Sequence, residues 1–172
     1  MSMFGKIAAR DGVLLAIVAA LWVGAAPLSA GDGFLADLSG LIVGLGFGLA
    51  TFLLHEWGHL LGGLATGASF IAPQSLRSAY LFSFDTKANA RGPFLAMSFG
   101  GFIVTGVALV VAYQWMPGDW LATRVARGAV VFLASLTVFL EFPLVIWSLV
   151  RYDALPSIEV FETEPGEDSA AS

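Results

Sequence analysis

Long runs of apolar residues dominate the pattern of the chain, and short polar stretches separate them. A helix needs about 20 consecutive apolar residues to cross a bilayer, and lipid requires that its backbone hydrogen bonds are satisfied internally. The pattern therefore predicts an all-α membrane protein with about four transmembrane helices. The predicted segments cover residues 13–30, 38–66, 93–116 and 126–150.

The loop between the second and third segments has a different period. Along residues 80–85, aromatic side chains alternate with other residues, which is typical of a β-strand. Pro73 interrupts the run before it. We therefore predict a short β-hairpin-like segment at the cytoplasmic interface, with an edge that can bind an extended peptide. The alternative is an irregular interfacial loop anchored by its aromatic side chains.

Glycine recurs every four residues along the second segment, at Gly40, Gly44 and Gly48 and again at Gly58 and Gly62. Small residues at this spacing let neighbouring helices approach closely. The second helix is therefore predicted to lie centrally, with protein on several sides.

The basic residues orient the segments, because cytoplasmic loops of membrane proteins are enriched in Lys and Arg. When both termini are placed in the cytoplasm, Arg124 and Arg127 are the only basic residues that lie outside. The basic residues placed inside are Lys6, Arg10, Arg77, Lys87, Arg91 and Arg151. This predicts a multi-pass protein of the bacterial inner membrane with both termini cytoplasmic.

The first segment also resembles a cleavable signal peptide, with a basic start, an apolar run and Pro-Leu-Ser-Ala at residues 27–30. Leu28 stands where a small residue is expected, which favours a retained helix.

Composition agrees with the membrane class: 58% of the 172 residues are hydrophobic and 12% are charged, against roughly half and a quarter in soluble domains. One transmembrane domain is predicted over residues 1–158. Residues 159–172 are predicted to form an acidic, disordered tail, which supplies much of the net charge of −5. Nothing in the sequence indicates nucleic-acid binding, and the lipid bilayer is the expected surrounding.

The second segment contains the only two histidines of the chain, in the pentapeptide His55-Glu56-Trp57-Gly58-His59. On a helix, positions i and i+4 share a face, so both imidazoles can bind one metal ion. This HExxH spacing is typical of zinc sites, in which the Glu accepts a proton from water. Glu56 is accordingly the predicted catalytic base, with His55 and His59 as Zn²⁺ ligands.

Catalytic zinc takes three protein ligands, and the chain has no cysteine and no further histidine. The third ligand must therefore be an oxygen, and the candidates are Glu141, Asp153 and Asp85. His59 and Glu141 lie about 12 and about 15 Å from the cytoplasmic ends of their helices, since a helix rises 1.5 Å per residue. This similar depth favours Glu141, with Asp153 as the alternative.

These residues resemble the site-2 protease family of intramembrane zinc metalloproteases. The match rests on His55-Glu56-Trp57-Gly58-His59, and more loosely on the small residues at 96–101 that open the next helix. The family's Asn-x-x-Pro and Asp-Gly are absent: the chain reads Leu-Glu-Phe-Pro at residues 140–143, and Asp153 precedes Ala154. The resemblance identifies a minimal or divergent member.

The resemblance implies cleavage of a peptide bond in or near a transmembrane segment of a membrane-protein substrate. The alternative is a non-proteolytic zinc-binding membrane protein that acts as an assembly factor or regulator, which the missing Asp-Gly favours.

Overall fold

The computed structural model describes residues 2–78, 80–151 and 155. Within these residues, four helical spans are long and apolar enough to cross a membrane, and a two-stranded sheet lies between the second and third. The predicted helical class with a strand-containing loop is therefore confirmed for the described chain. Asp153 and the predicted tail at 159–172 lie outside the described residues.

The helical spans are bent or interrupted at two places, where a 3₁₀ turn and a π turn occur. In chain order the helical elements are α1 (Met3–Ala25), a 3₁₀ turn (Ala26–Ala30), α2 (Phe34–Leu64), α3 (Arg91–Gln114), α4 (Leu121–Leu136), a π turn (Thr137–Glu141) and α5 (Phe142–Val150). Helices α1 and α4 begin earlier than their apolar runs predict. The reason is packing, because α1 buries Ile7 and Asp11 and α4 buries Ala122.

The 3₁₀ turn after α1 packs into the fold. Ala26 is buried against Val43 of α2 and Ala122 of α4. The hydroxyl of Ser29 accepts a hydrogen bond from the backbone N–H of Ala122 at 3.2 Å and so caps the start of α4. A signal-peptidase cut after Ala30 would remove this cap, and retention of the first helix stays a prediction.

Helix α2 lies between its neighbours and contacts α1, α3 and α4. A Cβ atom at Gly40 or Gly48 would lie within 2.7 or 2.6 Å of Leu121 or Ala129 of α4. On another face, a Cβ atom at Gly58 would lie 2.6 Å from the carbonyl oxygen of Gly100 in α3. The glycines therefore allow close contact of α2 with two helices, as their spacing predicts.

Glycine also ends α2, because Gly67 has a φ of +77° and the next N–H, of Ala68, donates to the Gly63 carbonyl at 3.0 Å. A left-handed residue after the last turn is the common helix stop, and glycine adopts it without steric cost.

The sheet consists of β1 (Phe70–Ile71) and β2 (Ser83–Phe84), which pair antiparallel with Phe70 opposite Phe84. Asn89 extends this pairing, because its side-chain amide exchanges hydrogen bonds with the backbone of Ser69 at 2.6 and 2.7 Å. The chain between the two strands returns to α1 and α2, where Leu81 is buried with Ile7 and Leu60. The strands are thus shorter than the alternation at 80–85 predicts.

Candidate metal centre

The two histidines of the HExxH pentapeptide and Glu141 meet where α2 faces the π turn. His55 Nε2 lies 2.9 Å from His59 Nε2 and 3.1 Å from Glu141 Oε1. His59 Nε2 lies 3.3 Å from Glu141 Oε2. These residues form a group that can hold a metal ion, with one ligand atom from each residue within 4.8 Å of the others.

The backbone of α3 orients both imidazoles. His55 Nδ1 lies 3.0 Å from the carbonyl oxygen of Gly101 and 2.8 Å from Thr105 Oγ1. His59 Nδ1 lies 2.9 Å from the carbonyl oxygen of Met97. A carbonyl oxygen only accepts, so these contacts assign the ring proton to Nδ1 in both histidines. Each Nε2 is left with a lone pair that points to the shared centre.

The register of two antiparallel helices produces this arrangement. His55 and His59 are four residues apart on α2, and Gly101 and Met97 are four residues apart on α3. Since residues four apart share a helix face, each histidine meets one carbonyl of the other helix. A carbonyl oxygen has two lone pairs and can accept this bond in addition to its own helical bond.

Three hydrogen-bond acceptors therefore converge on one point. Glu141 Oε2 is buried without a hydrogen-bond donor among the described residues, and the two Nε2 lone pairs face each other. Buried acceptors held this close repel unless a cation lies between them. Ligands at 2.0–2.1 Å from a tetrahedral zinc ion are about 3.3 Å apart, which is close to the distances among these atoms. The residues therefore fit a bound metal ion.

The charges of the site favour a divalent ion. Glu56 and Glu141 carry two negative charges when ionised, and the two histidines in this tautomer are neutral. A divalent cation would make the cluster electrically neutral, which matters in an environment that solvates charge poorly. The side chains of His55, His59 and Glu141 are 2%, 12% and 30% exposed, so Glu141 is the most accessible member of the group.

The π turn places Glu141 at its last position. The N–H of Phe142 donates to the carbonyl of Thr137, five residues back. Pro143 has no N–H and its ring would collide with the carbonyl four residues earlier in a regular helix, so a wider turn accommodates it. The helix is thus disturbed just before Pro143, and the disturbed turn includes the residue that faces the histidines.

Glu56 lies beside the metal group without belonging to it. It is within electrostatic range of His55, His59 and Glu141. Its Oε2 accepts a long hydrogen bond, 3.4 Å, from the backbone N–H of Leu81. The carboxylate is thus positioned between the metal group and the loop that follows α2.

The structure describes two of the three candidates for the third ligand. Glu141 is in the group with both histidines, as the depth comparison predicts. Asp85 instead accepts the backbone N–H groups of Lys87 and Ala88 at 2.9 and 3.0 Å, which is a turn-forming role. Asp153 lies outside the described residues, so its prediction as alternative ligand stays a prediction.

Sequence reasoning missed the contribution of α3 and of α1. No sequence motif marks Thr105 or the backbone carbonyls of Met97 and Gly101. The one feature of the sequence that indicates close packing of α3 is its small residues. Asp11 was also missed, although an acidic residue inside an apolar helix indicates a functional role by default.

The chain matches no protein-family model, and no curated protein or solved structure is significantly similar to it.

Substituting Gly101 with alanine is expected to weaken metal binding by at least about tenfold. This is the lower end of the effect seen when groups that orient a metal ligand are disturbed. The added methyl would collide with the His59 ring, with Nδ1 2.7 Å away. Gly106→Ala is the matched control, because it lies on the same helix and nothing is within 4 Å of the added Cβ. Titration with zinc against a chromophoric chelator measures both, and equal affinities would contradict the expected collision.

Proposed function

We propose that the chain is an intramembrane zinc metalloprotease of the site-2 protease type. The convergence of His55 Nε2, His59 Nε2 and Glu141 on one point, with Glu56 beside it, is the observation that carries this proposal. Two imidazoles and one carboxylate are a common donor set of catalytic zinc, which leaves one coordination position for water or substrate.

The four apolar spans support a multi-pass membrane protein. We place it in the bacterial inner membrane with both termini in the cytoplasm, because this orientation puts more Lys and Arg inside. The metal centre then lies within the apolar part of α2. The substrate is a membrane protein whose span must unwind locally, since a helical peptide bond is hydrogen-bonded and sterically shielded.

The roles of the residues follow from their positions. Zinc, when bound by His55, His59 and Glu141, supplies a Lewis acid that polarises a peptide carbonyl and acidifies water. Glu56 accepts the proton of the attacking water as the new C–O bond forms. Glu56 then donates this proton to the amine nitrogen as the C–N bond breaks, so the carboxylate ends in its starting state. The Gly101 and Met97 carbonyls hold the proton of each neutral imidazole on Nδ1, so that Nε2 is the atom that can bind the metal.

Cleavage of synthetic single-span peptides by the purified, metal-loaded protein tests this function. The probes carry about 20 apolar residues flanked by lysines and are mixed with the protein in detergent micelles. We expect products with a new amino terminus in or near the span, detected by mass spectrometry. Chelator-stripped protein is the control, and it should regain activity when zinc is added back.

The competing function is a zinc-binding assembly factor or regulator. A protein that holds one zinc ion per chain but cleaves none of the probes or co-expressed single-span membrane proteins would favour it and contradict the protease proposal. The Glu at the third ligand position, where the family has Asp-Gly further along the chain, is the sequence feature that supports this function.

A further inference from the structure

Asp11 is a buried carboxylate that the metal centre does not use. Its residue is 2% exposed, and it lies within α1 among apolar side chains. A buried carboxylate costs several kcal/mol unless it is paired and hydrogen-bonded. Its partners therefore show which parts of the structure it holds together.

Both oxygens of Asp11 have partners. Oδ1 accepts from Arg10 Nε at 2.7 Å and lies 2.7 Å from Arg10 Nη2, so two guanidinium nitrogens contact this one oxygen. Oδ2 accepts from the indole Nε1 of Trp57 at 3.0 Å. Trp57 belongs to the HExxH pentapeptide and directly follows Glu56. Asp11 thus ties α1 to the turn of α2 that carries the histidines.

Arg10 uses its remaining nitrogen to hold the loop after α2. Nη1 donates to the carbonyl oxygens of Leu76 at 2.6 Å and Ser78 at 2.9 Å. The planar guanidinium can make these bonds and the pair with Asp11 together, which a lysine cannot do. The Arg10–Asp11 pair therefore joins α1, α2 and the loop at one point.

The same loop delivers a hydrogen bond to Glu56. Leu81 is 1% exposed, packs against Ile7 of α1 and Leu60 of α2, and donates its N–H to Glu56 Oε2 at 3.4 Å. Glu56 is thus restrained from two sides: through its neighbour Trp57 on α2 and through Leu81 of the loop. Both restraints lead back to Arg10 and Asp11.

We propose that Arg10 and Asp11 are a positioning pair for Glu56, an inference that rests on the proposed role of Glu56 as the base. The pair fixes the loop so that the Leu81 N–H holds one carboxylate oxygen and the other is available to water. The histidines do not need it, because α3 orients them. Since a displacement of about 1 Å at a reacting group can cost about 100-fold in rate, loss of the pair should slow catalysis without releasing metal.

The test uses the double variant Arg10→Gln/Asp11→Asn, in which Asn keeps the shape of Asp11, the shorter Gln lacks the guanidinium that binds the loop, and no unpaired buried charge remains. Lys87→Gln/Asp85→Asn is the matched control, because it removes one positive and one negative charge from the loop after α2, at residues outside the hydrogen bonds of the Arg10–Asp11 pair. We expect hydrogen exchange at the Leu81 amide to be at least tenfold faster in the test variant. Zinc should stay at one ion per chain, with kcat for the cleaved single-span peptide lowered about 10- to 100-fold and KM nearly unchanged.

The proposal would be overturned by unchanged exchange at Leu81, or by loss of zinc together with activity, which would indicate a general structural role. A rise in kcat would also overturn it, because the loop would then obstruct Glu56 rather than position it. If the wild-type protein cleaves no peptide, the proposed function fails. Exchange at Leu81, which needs no turnover, then still decides whether the pair holds the loop.

Discussion

Replacement of Glu141 with glutamine is expected to lower zinc affinity by more than about 100-fold. Loss of a residue that only hydrogen-bonds to a metal ligand costs about 10- to 100-fold, and loss of a ligand itself should cost more. The amide is nearly the same size as the carboxylate, but its oxygen is neutral and binds a divalent cation weakly. Two carboxylates balance the cation in the wild-type site, and the substitution removes one of them.

Metal analysis after dialysis, together with competition against a chelator, measures this effect. Asp153→Asn is the companion variant, because Asp153 is the other candidate from the sequence. We expect it to keep wild-type affinity. Zinc retained in Glu141→Gln but lost in Asp153→Asn would assign the third ligand to Asp153 and refute the site described above.

Replacement of Glu56 with glutamine is expected to lower kcat by at least about 100-fold while zinc stays bound. A positioned general base contributes about 10²- to 10⁴-fold, and an amide cannot accept the proton of water. The side chain of Gln still accepts the Leu81 N–H, so the loop keeps its position. The metal ligands are untouched, which separates this variant from Glu141→Gln.

Initial rates of cleavage of the single-span peptide measure this prediction, with zinc content determined on the same samples. Asp85→Asn is the matched control, since an Asn can still accept the backbone N–H groups of Lys87 and Ala88. It should cleave at the wild-type rate. Undiminished turnover by Glu56→Gln would remove Glu56 from the mechanism.

Much of the candidate site follows from the sequence because local geometry fixes it. A helical pentapeptide places His55 and His59 on one face whatever surrounds it. The absence of other histidines and of cysteine leaves oxygen as the third ligand, and counting residues to the helix ends brings Glu141 to the depth of the histidines. The close distances among these three residues agree with that count.

Spacing along the sequence does not specify the register between α2 and α3. Gly58 lies against Gly100, where α2 and α3 approach closely. No local pattern in the sequence specifies which backbone carbonyl of α3 contacts which imidazole of α2. The apolar run of the fourth segment predicts one long helix, but the widened turn before Pro143 depends on how the helix relieves the clash of the proline ring. Packing decides both features.

The sequence by itself determined the helical class with spans long and apolar enough to cross a membrane, the histidine pair and the short set of acidic candidates, because each depends on composition or on spacing along one helix. Only the tertiary structure brought Glu141 to the histidines, placed the carbonyls of Met97 and Gly101 behind them, and joined Asp11 to Trp57. These contacts connect residues far apart in the chain. Their distances depend on the side chains that fill the space between helices, which sequence spacing does not specify.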